Sequence, residues 1–258
     1  MEKKKFYVTT PIYYSNANPH IGGAYTTIAA DVLARWHKIL GEEVFFSTGT
    51  DEHGKKIQET ALKEGKDPKE FVDEIAVLYK ELFEKLNCIY DVFVRTTDHY
   101  HVEEVENVLN TLYKKGLIYK GNYEAPYCVG CEQYLRENDL VDGKCPLHNK
   151  EPELKKEECY MFKLSSFQDQ LIEAIESKRF EILPKKREKE VLSFIKSGLN
   201  DVAFSRDKKD VPWGIELPFD KEHTCYVWVD AFWNYISGLK KDMKFWPVDL
   251  QLMANDII

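Results

Sequence analysis

Four residues arranged as two pairs are the clearest candidates for chemistry in this sequence. Cys128 and Cys131 form a Cys-x2-Cys pair, and Cys145 and His148 form a Cys-x2-His pair after an interval of 13 residues that contains Gly143. Thiolate and imidazole are ligands that zinc prefers, and four of them close a tetrahedral site without leaving an open position. We therefore predict a structural zinc site, and regard a disulfide as the weaker interpretation for a chain expected inside the cell.

The other three cysteines show no such spacing. Cys88, Cys159 and Cys225 lie far apart in the sequence. Free cysteine is among the most frequently buried residue types. We predict that these three are ordinary buried thiols.

A second candidate is the segment His20-Ile21-Gly22-Gly23, which precedes a predicted helix. The backbone N–H groups and the dipole at a helix start favour an anion, and glycine lets a phosphate approach closely. A histidine in this position is equally typical of a helix cap or a surface residue. Phosphate contact by His20 and simple capping therefore remain open alternatives.

The segment Thr50-Asp51-Glu52-His53-Gly54 concentrates ionisable groups directly after a predicted strand. A carboxylate such as that of Asp51 suits the capture of a ligand ammonium group. Asp is also a common turn and helix-cap residue, so a purely local role is the alternative.

The densest aromatic cluster lies near the end of the chain. Most aromatic clusters are simply core, but ring edges also pack well against a thioether, so an apolar side-chain pocket is the alternative. Its members are Trp228, Asp230, Phe232, Trp233 and Tyr235.

The elements that must position these residues begin with a βαβ unit. Phe6 to Thr10 and Val44 to Thr48 are predicted as buried strands, with a helix from about 23 to 39 between them that Gly41 ends. Ligands of parallel sheets bind at the carboxyl ends of the strands, where His20, Asp51 and His53 fall. Apolar residues recur on one face of the helix: Ala24, Ile28, Val32, Leu33 and Trp36.

Further helices are predicted after Asp67-Pro68 and after Asp98, because an N-cap residue precedes an apolar repeat at helical spacing in both segments. From about Gly121 to Cys159 short segments follow one another, which indicates an inserted module. We interpret Tyr226-Val227-Trp228-Val229 as the return of the chain to the first sheet.

Composition excludes several classes of protein. The chain has 258 residues, 43% hydrophobic and 31% charged, which is typical of a globular protein. No apolar stretch approaches the roughly 20 residues of a membrane span, and no signal-peptide pattern is present, so we expect a cytoplasmic protein without a membrane partner.

The formal charge of −8 opposes broad adhesion to nucleic acid. Any such contact must therefore be local. The run from Lys185 to Lys189 is typical of a solvated helix face, with local RNA contact as the lesser alternative.

Taken together, the motifs resemble the catalytic domain of class I aminoacyl-tRNA synthetases, specifically the methionyl-tRNA synthetases. The resemblance extends over most of the chain in family order. The matching segments are Tyr7 to Tyr14, His20 to Gly22, Ala24 to Thr27, Thr48 to Gly54, the Cys and His pairs, Val211 to Ile215, and Tyr226 to Ala231.

This resemblance implies an α/β fold: a Rossmann-like parallel sheet interrupted by a zinc-binding connective-peptide insertion. We assign 1–97 to the first half of the Rossmann-like domain, 98–223 to the insertion and 224–258 to an incomplete return of the chain to the Rossmann-like domain. The implied function is ATP-dependent activation of methionine and its transfer to tRNA, with Mg²⁺ accompanying ATP. Methionine and ATP are the implied partners, and tRNA or a separately encoded C-terminal half would be further ones.

The resemblance also implies individual roles. His20 is the implied catalytic residue. The ATP side comprises His20, Gly22, Gly23 and Asp256, and the methionine side comprises Ile12, Tyr14, Asp51, Trp228, Ala231, Tyr235 and Ile257.

The sequence departs from the family pattern at residues that would neutralise negative charge on the phosphates of ATP. The family usually reads His-x-Gly-His, and its second histidine is replaced by Gly23. Near the end, Gln251, Ala254 and Asn255 replace family residues, among them a lysine. We therefore expect poor aminoacylation by this chain alone, whether it is part of a synthetase or a non-catalytic paralogue that binds methionine, a related metabolite or a partner protein.

Overall fold

A computed structural model describes residues 4–254, except 132, 136–138 and 241. Its first sheet is parallel, in the order β12-β1-β3-β2, with β4 also paired to β3. This is the α/β architecture expected from the sequence. The strands of this sheet are β1 (Lys5–Thr9), β2 (Tyr13–Tyr14), β3 (Glu43–Asp51), β4 (Val92–Arg95) and β12 (Leu250–Gln251).

Helices cover this sheet and connect its strands. The Asp67 side chain caps the helix Pro68–Lys85 (α3) by accepting a hydrogen bond from the Lys69 backbone N–H. Pro68 lies in the first turn, as predicted. Asp98 precedes α4, and Gly116 follows it with φ +66°. The first four helices are α1 (Ile21–Ile39), α2 (Lys55–Lys63), α3 (Pro68–Lys85) and α4 (His99–Lys114).

The helix α1 packs with a different face than its apolar repeat suggests. Ala30 and Ala34 are fully buried over the sheet, whereas Ile28, Val32 and Trp36 are exposed. Small residues let the helix lie close to the strands, so the larger side chains of the apolar repeat remain outside. Of the buried residues of α1, Ala24 alone belongs to the predicted apolar face.

Antiparallel sheets make up most of the middle of the chain. One has the order β6-β5-β7-β8 and the other β10-β11-β9. Their strands are β5 (Ile118–Cys128), β6 (Gln133–Tyr134), β7 (Glu153–Phe162), β8 (Val202–Ala203), β9 (Ser205–Asp207), β10 (Glu216–Leu217) and β11 (Asp220–Cys225).

Two helices lie between β7 and β8: α5 (Gln168–Glu176) and α6 (Lys185–Lys196). The basic run forms the start of α6. There Lys185 lies 3.1 Å from Glu188 and Arg187 forms an ion pair with Glu190. Glu188 is buried, whereas Lys185 and Lys189 of this run are exposed.

The prediction that Tyr226 to Val229 returns to the first sheet is wrong. After an extended Tyr226, Val227–Phe232 form the helix α7, followed by α8 (Asn234–Ser237). The return strand is β12, whose Val8↔Leu250 and Thr9↔Gln251 pairs are parallel. Alternating aromatic and β-branched residues favour a strand, but tertiary contacts of this segment outweigh that local preference.

No helix in the described part of the chain is long and apolar enough to cross a membrane.

Candidate functional site

The carboxyl ends of β2 and β3 meet at one point of the sheet. Tyr14 is paired with Asp51 in the parallel register, and the Ser15 backbone N–H donates to the Asp51 carbonyl at 2.9 Å. Asp51 is buried, and Ile12 and Tyr14 are partly buried. Three residues predicted for the methionine side are therefore neighbours along these strand ends.

The residue after Asp51 anchors this strand end. Glu52 is fully buried and accepts two hydrogen bonds from Arg95, at 2.7 Å and 2.9 Å. Thr50 donates to the same carboxylate at 2.7 Å. A bidentate guanidinium pair with added hydroxyl donors compensates for burying the charge and fixes the backbone on either side of Asp51.

Trp213 holds the next turn of the same segment. Its indole N–H donates to the Glu52 carbonyl at 2.6 Å, and the Gly54 N–H donates to the Trp213 carbonyl at 3.0 Å. Gly54 has φ +108°, a backbone conformation that favours glycine. The Val-Pro-Trp-Gly motif thus serves as a clamp on the Asp-Glu-His-Gly motif.

A buried carboxylate joins three distant elements. Asp230 of α7 is fully buried and lies 2.6 Å from His53 Nδ1 and 2.7 Å from His101 Nε2. His101 also contacts the Ser237 hydroxyl at 2.8 Å. Burial alone would raise the pKa of the Asp230 carboxyl, but the two imidazoles outweigh burial and hold that pKa below its usual value.

This contact brings the acidic strand end and the aromatic segment together. Asp51 precedes His53 by two residues, and Trp228 precedes Asp230 by two. Ala231 and Tyr235 follow on α7 and α8. The backbone carbonyl of Tyr235 accepts a hydrogen bond from the Tyr7 hydroxyl at 2.8 Å, which fixes the position of Tyr235.

The hydroxyl of Tyr235 also has polar neighbours. Burial raises the pKa of Tyr235, while hydrogen bonds from Gln251 and Asn234 oppose that shift. Gln251 therefore reaches the site from the return strand.

His20 caps α1. Its Nδ1 accepts from the Gly22 N–H at 3.1 Å, and a Cβ at Gly22 would lie 2.9 Å from His20 Cε1. A side chain at position 22 would therefore displace the His20 ring from its capping position. Since Nδ1 is an acceptor, a neutral His20 carries its proton on Nε2, which is a donor for another group. Both His20 and Gly22 are exposed.

Gly23 lies against an aromatic stack. A Cβ at Gly23 would lie 3.2 Å from two ring carbons of Tyr13. The Tyr13 ring is stacked on Tyr79, with centroids 5.3 Å apart, and its hydroxyl lies 2.7 Å from the Thr27 hydroxyl. A larger residue at position 23 would meet a ring fixed on both sides.

Two buried hydroxyl groups lie at the same strand ends. Thr9 Oγ1 and Ser15 Oγ have no hydrogen-bond partner among the described residues, and both residues are fully buried. Buried polar groups are nearly always hydrogen-bonded in native proteins. These atoms are therefore available to a polar ligand or to water.

The predicted metal ligands converge. One ligand atom from each of the four residues lies within 4.8 Å of the others, so the cluster could hold a metal ion. His148 Nδ1 lies 3.2 Å from Cys131 Sγ and 3.7 Å from Cys145 Sγ. A Cβ at Gly130 would lie 2.6 Å from the His148 ring, so a side chain there would displace that ring from the cluster.

The thiols of the cluster differ in their pKa values. Hydrogen bonds with His148 outweigh burial and lower the pKa of Cys145 to about 6, whereas burial and the neighbouring thiols raise the pKa of Cys131 to about 12. Three thiols and an imidazole match the donor set and number of a closed zinc site. Cys88, Cys159 and Cys225 are free and buried, as predicted.

Some predicted site residues lie outside the described residues, namely Asp256 and Ile257. Sequence reasoning assigned no role to His101, Trp213 or Arg95, all of which hold the site from a distance in sequence. The motif around Trp213 could have indicated a role for this residue, whereas no local sequence pattern distinguishes His101.

Comparison with known proteins decides the family. The model of the class I tRNA synthetases (M) matches residues 6–151 and 136–251. The chain belongs to this family. It is 47% identical to the methionine–tRNA ligase of Clostridium tetani, covering 100% of this chain and 41% of that relative. It is 46% identical to the methionine–tRNA ligase of Caldanaerobacter subterraneus, covering 99% of this chain and 41% of that relative.

Solved structures agree with the family. The methionyl-tRNA synthetase of Mycobacterium tuberculosis in complex with methionyl-adenylate has a TM-score of 0.92 and 36% identity, over 98% of this chain and 52% of that one. The free-state structure of the same synthetase has a TM-score of 0.82 and 33% identity, over 99% of this chain and 51% of that one. This synthetase-family chain thus spans about half the length of its relatives or less.

Proposed function

We propose that this chain carries the methionine-activating centre of a methionyl-tRNA synthetase. The supporting observation is the contact of Asp230 with His53 and His101, which connects the strand end that carries Asp51 to the helix that carries Trp228 and Ala231. In this proposal Asp51 binds the ammonium group of methionine, and Trp228, Ala231 and Tyr235, with Ile12 and Tyr14, enclose the thioether. The family resemblance adds Ile257, which lies outside the described residues.

The chemical step follows from the family. A carboxylate oxygen of methionine bonds to the α-phosphorus of Mg²⁺-bound ATP, and the bridging oxygen leaves with pyrophosphate. The N-terminus of α1 and His20 Nε2 would neutralise charge on the phosphates, with Asp256 on the ribose side. Because Gly23 supplies no side-chain donor, we infer that activation is slow and that transfer to tRNA is poor in this chain alone.

Methionine titration and ATP–pyrophosphate exchange test the proposal together. Wild-type chain should release heat on methionine binding, and Asp51→Asn should weaken binding about 10- to 100-fold, because a charged hydrogen bond is lost. Asp242→Asn, an exposed carboxylate that is not part of the proposed site, is the matched control. Exchange that depends on methionine supports the enzyme.

The other outcomes have equally definite meanings. Heat without exchange would support the alternative, a non-catalytic paralogue that holds methionine or a related metabolite. Neither heat nor exchange, in a chain that remains folded, would exclude both functions.

We also propose that Cys128, Cys131, Cys145 and His148 bind one structural zinc ion. When bound, zinc would crosslink the two knuckles and stabilise the insertion. Cys145→Ser should lose the metal in elemental analysis, whereas Cys159→Ser, another buried cysteine, should keep it. Full zinc retention by Cys145→Ser would refute this assignment.

The division into 1–97, 98–223 and 224–258 remains a prediction. It is supported by the parallel sheet, whose strands come from the first and last segments. The strand β11 (Asp220–Cys225) spans the second boundary.

A further inference from the structure

Gln251 of β12 points to the face of the first sheet that lies against α8. Its neighbours in the chain, Leu250 and Leu252, pack on the core cluster that contains Ala30 of α1. Because side chains alternate between the two faces of a sheet, Gln251 points away from α1. Its register partner Thr9 shares that face, since paired residues of neighbouring parallel strands point the same way.

Tyr235 of α8 lies over the same face. Tyr7 precedes Thr9 by two residues on β1 and therefore points to the same side, and its hydroxyl donates to the Tyr235 carbonyl at 2.8 Å. The side chains of Gln251 and Asn234 both hydrogen-bond the Tyr235 hydroxyl. The fold thus brings an amide of the return strand to a residue of the proposed thioether pocket.

The two amides donate to the Tyr235 oxygen. Burial raises the pKa of the Tyr235 hydroxyl, whereas the contacts with Gln251 and Asn234 lower it. A hydrogen bond lowers the pKa of a phenol when it is donated to the phenol oxygen, because it then stabilises the phenolate. A phenol has a single proton of its own to donate. The O–H proton of Tyr235 is therefore directed away from both amides.

Two buried oxygens of this region do not accept that proton. Thr9 Oγ1 and Asn234 Oδ1 have no hydrogen-bond partner among the described residues, and both residues are buried. Tyr235 is only partly buried. Its O–H is therefore available to a ligand. A thioether sulfur accepts a weak hydrogen bond, whereas a methylene group has no acceptor.

We propose that Gln251 is a positioning residue that sets the direction of the Tyr235 O–H, and thereby favours an amino acid with a sulfur over one with a methylene in its place. This inference rests on the proposed function, in which Tyr235 helps to enclose the thioether of methionine. It assigns a role to a residue at which the sequence departs from the family pattern.

Norleucine is the matched probe, because it carries a methylene where methionine has sulfur and keeps the same ammonium and carboxylate groups. The measured quantity is the selectivity ratio, the dissociation constant of norleucine divided by that of methionine, from calorimetry. A change that affects the fold or the binding of the charged groups acts on both ligands and cancels in this ratio. A change in the hydrogen bond to sulfur does not cancel.

Gln251→Glu reverses the direction of the bond. The carboxylate accepts the Tyr235 O–H and takes it away from the ligand. The selectivity ratio should therefore fall about 3- to 10-fold, the value of one neutral hydrogen bond. Gln251→Leu, which adds no charge, should lower the ratio in the same direction. Gln170→Glu on α5, an exposed glutamine, is the matched control and should leave the ratio unchanged.

A double-mutant cycle tests whether Gln251 acts through Tyr235. Tyr235→Phe removes the hydroxyl and should lower the ratio by itself, and Gln251→Glu should then have no further effect on it. An unchanged ratio in both Gln251 variants of a chain that binds methionine would overturn this inference alone. So would an equal fall of the ratio with and without the Tyr235 hydroxyl. Absence of methionine binding by the folded wild-type chain would instead refute the proposed function, and the inference with it.

Discussion

The two halves of the candidate site are built differently. On the proposed amino-acid side, Glu52 and Asp230 are fully buried and fixed by ion pairs and hydrogen bonds from distant elements. On the proposed nucleotide side, His20 and Gly22 are exposed, and their hydrogen bonds are local to the start of α1, such as that of the Gly22 N–H to His20 Nδ1 at 3.1 Å. The amino-acid side is therefore preorganised by the fold, whereas the nucleotide side is a helix start.

This difference matches only part of the departures from the family pattern. By the resemblance, the motif residues of the proposed amino-acid side are present, including Asp51, Trp228 and Ala231. The departures comprise Gly23 on the proposed nucleotide side, Gln251, which hydrogen-bonds Tyr235 of the proposed amino-acid side, and Ala254 and Asn255 further along the sequence. A change at an exposed helix start costs little stability, whereas a change inside a buried charge network costs much.

The largest effect is expected at Asp230. Asp230→Ala leaves two buried imidazoles without their carboxylate, so the free energy of unfolding should fall by about 3–5 kcal/mol. Methionine binding should weaken as well, since α7 loses its contact with the strand end. Urea unfolding and calorimetry measure the two effects.

Asp169→Ala, an exposed carboxylate on α5, is the control and should change neither quantity measurably. A drop below about 1 kcal/mol for Asp230→Ala would show that the amino-acid side is not held by this network.

The next effect separates the two roles of His20. His20→Asn keeps a side chain suited to capping but removes the Nε2 donor, so unfolding should stay within about 0.5 kcal/mol of wild type. The affinity for ATP, measured with methionine present, should fall about tenfold or more if His20 donates to a phosphate. Unchanged affinity would leave His20 as a cap only.

An effect of similar size is expected when the histidine of the family pattern is introduced at position 23. Gly23→His places a Cβ 3.2 Å from the stacked Tyr13 ring, so stability should fall by about 1–3 kcal/mol despite the better helix propensity of histidine. The cost should shrink in a Tyr13→Ala background, because the two residues are in contact. An equal cost in both backgrounds would exclude Tyr13 as the cause.

Sequence patterns predicted what depends on local chemistry. Three such features were predicted, because each depends on residues close together in the chain. They are the cap at Asp67, the end of α1 at Gly41 and the convergence of the Cys and His pairs. The strand end at Asp51 followed from the rule that parallel strands end on one side.

The predictions that failed concern elements whose structure depends on the surface against which they pack. The periodicity of α1 shows an apolar face but not which face meets the sheet, and Ala30 and Ala34 allow the closer approach. The segment after Tyr226 reads as a strand, but its Asp230 bonds to His101, 129 residues earlier. No local pattern encodes a contact of that range.

Acid sensitivity gives the finest test of the preorganised side. The pKa of Asp230 is lower in the folded protein than its unfolded value of about 3.9. Its contribution to stability is therefore fully present above that value and is lost as the pH falls through the folded pKa. Asp230→Asn should make the free energy of unfolding less dependent on pH below about pH 4, whereas Asp169→Asn should leave the profile unchanged. A profile for Asp230→Asn as steep as that of the wild type would show that the two imidazoles do not stabilise the Asp230 charge.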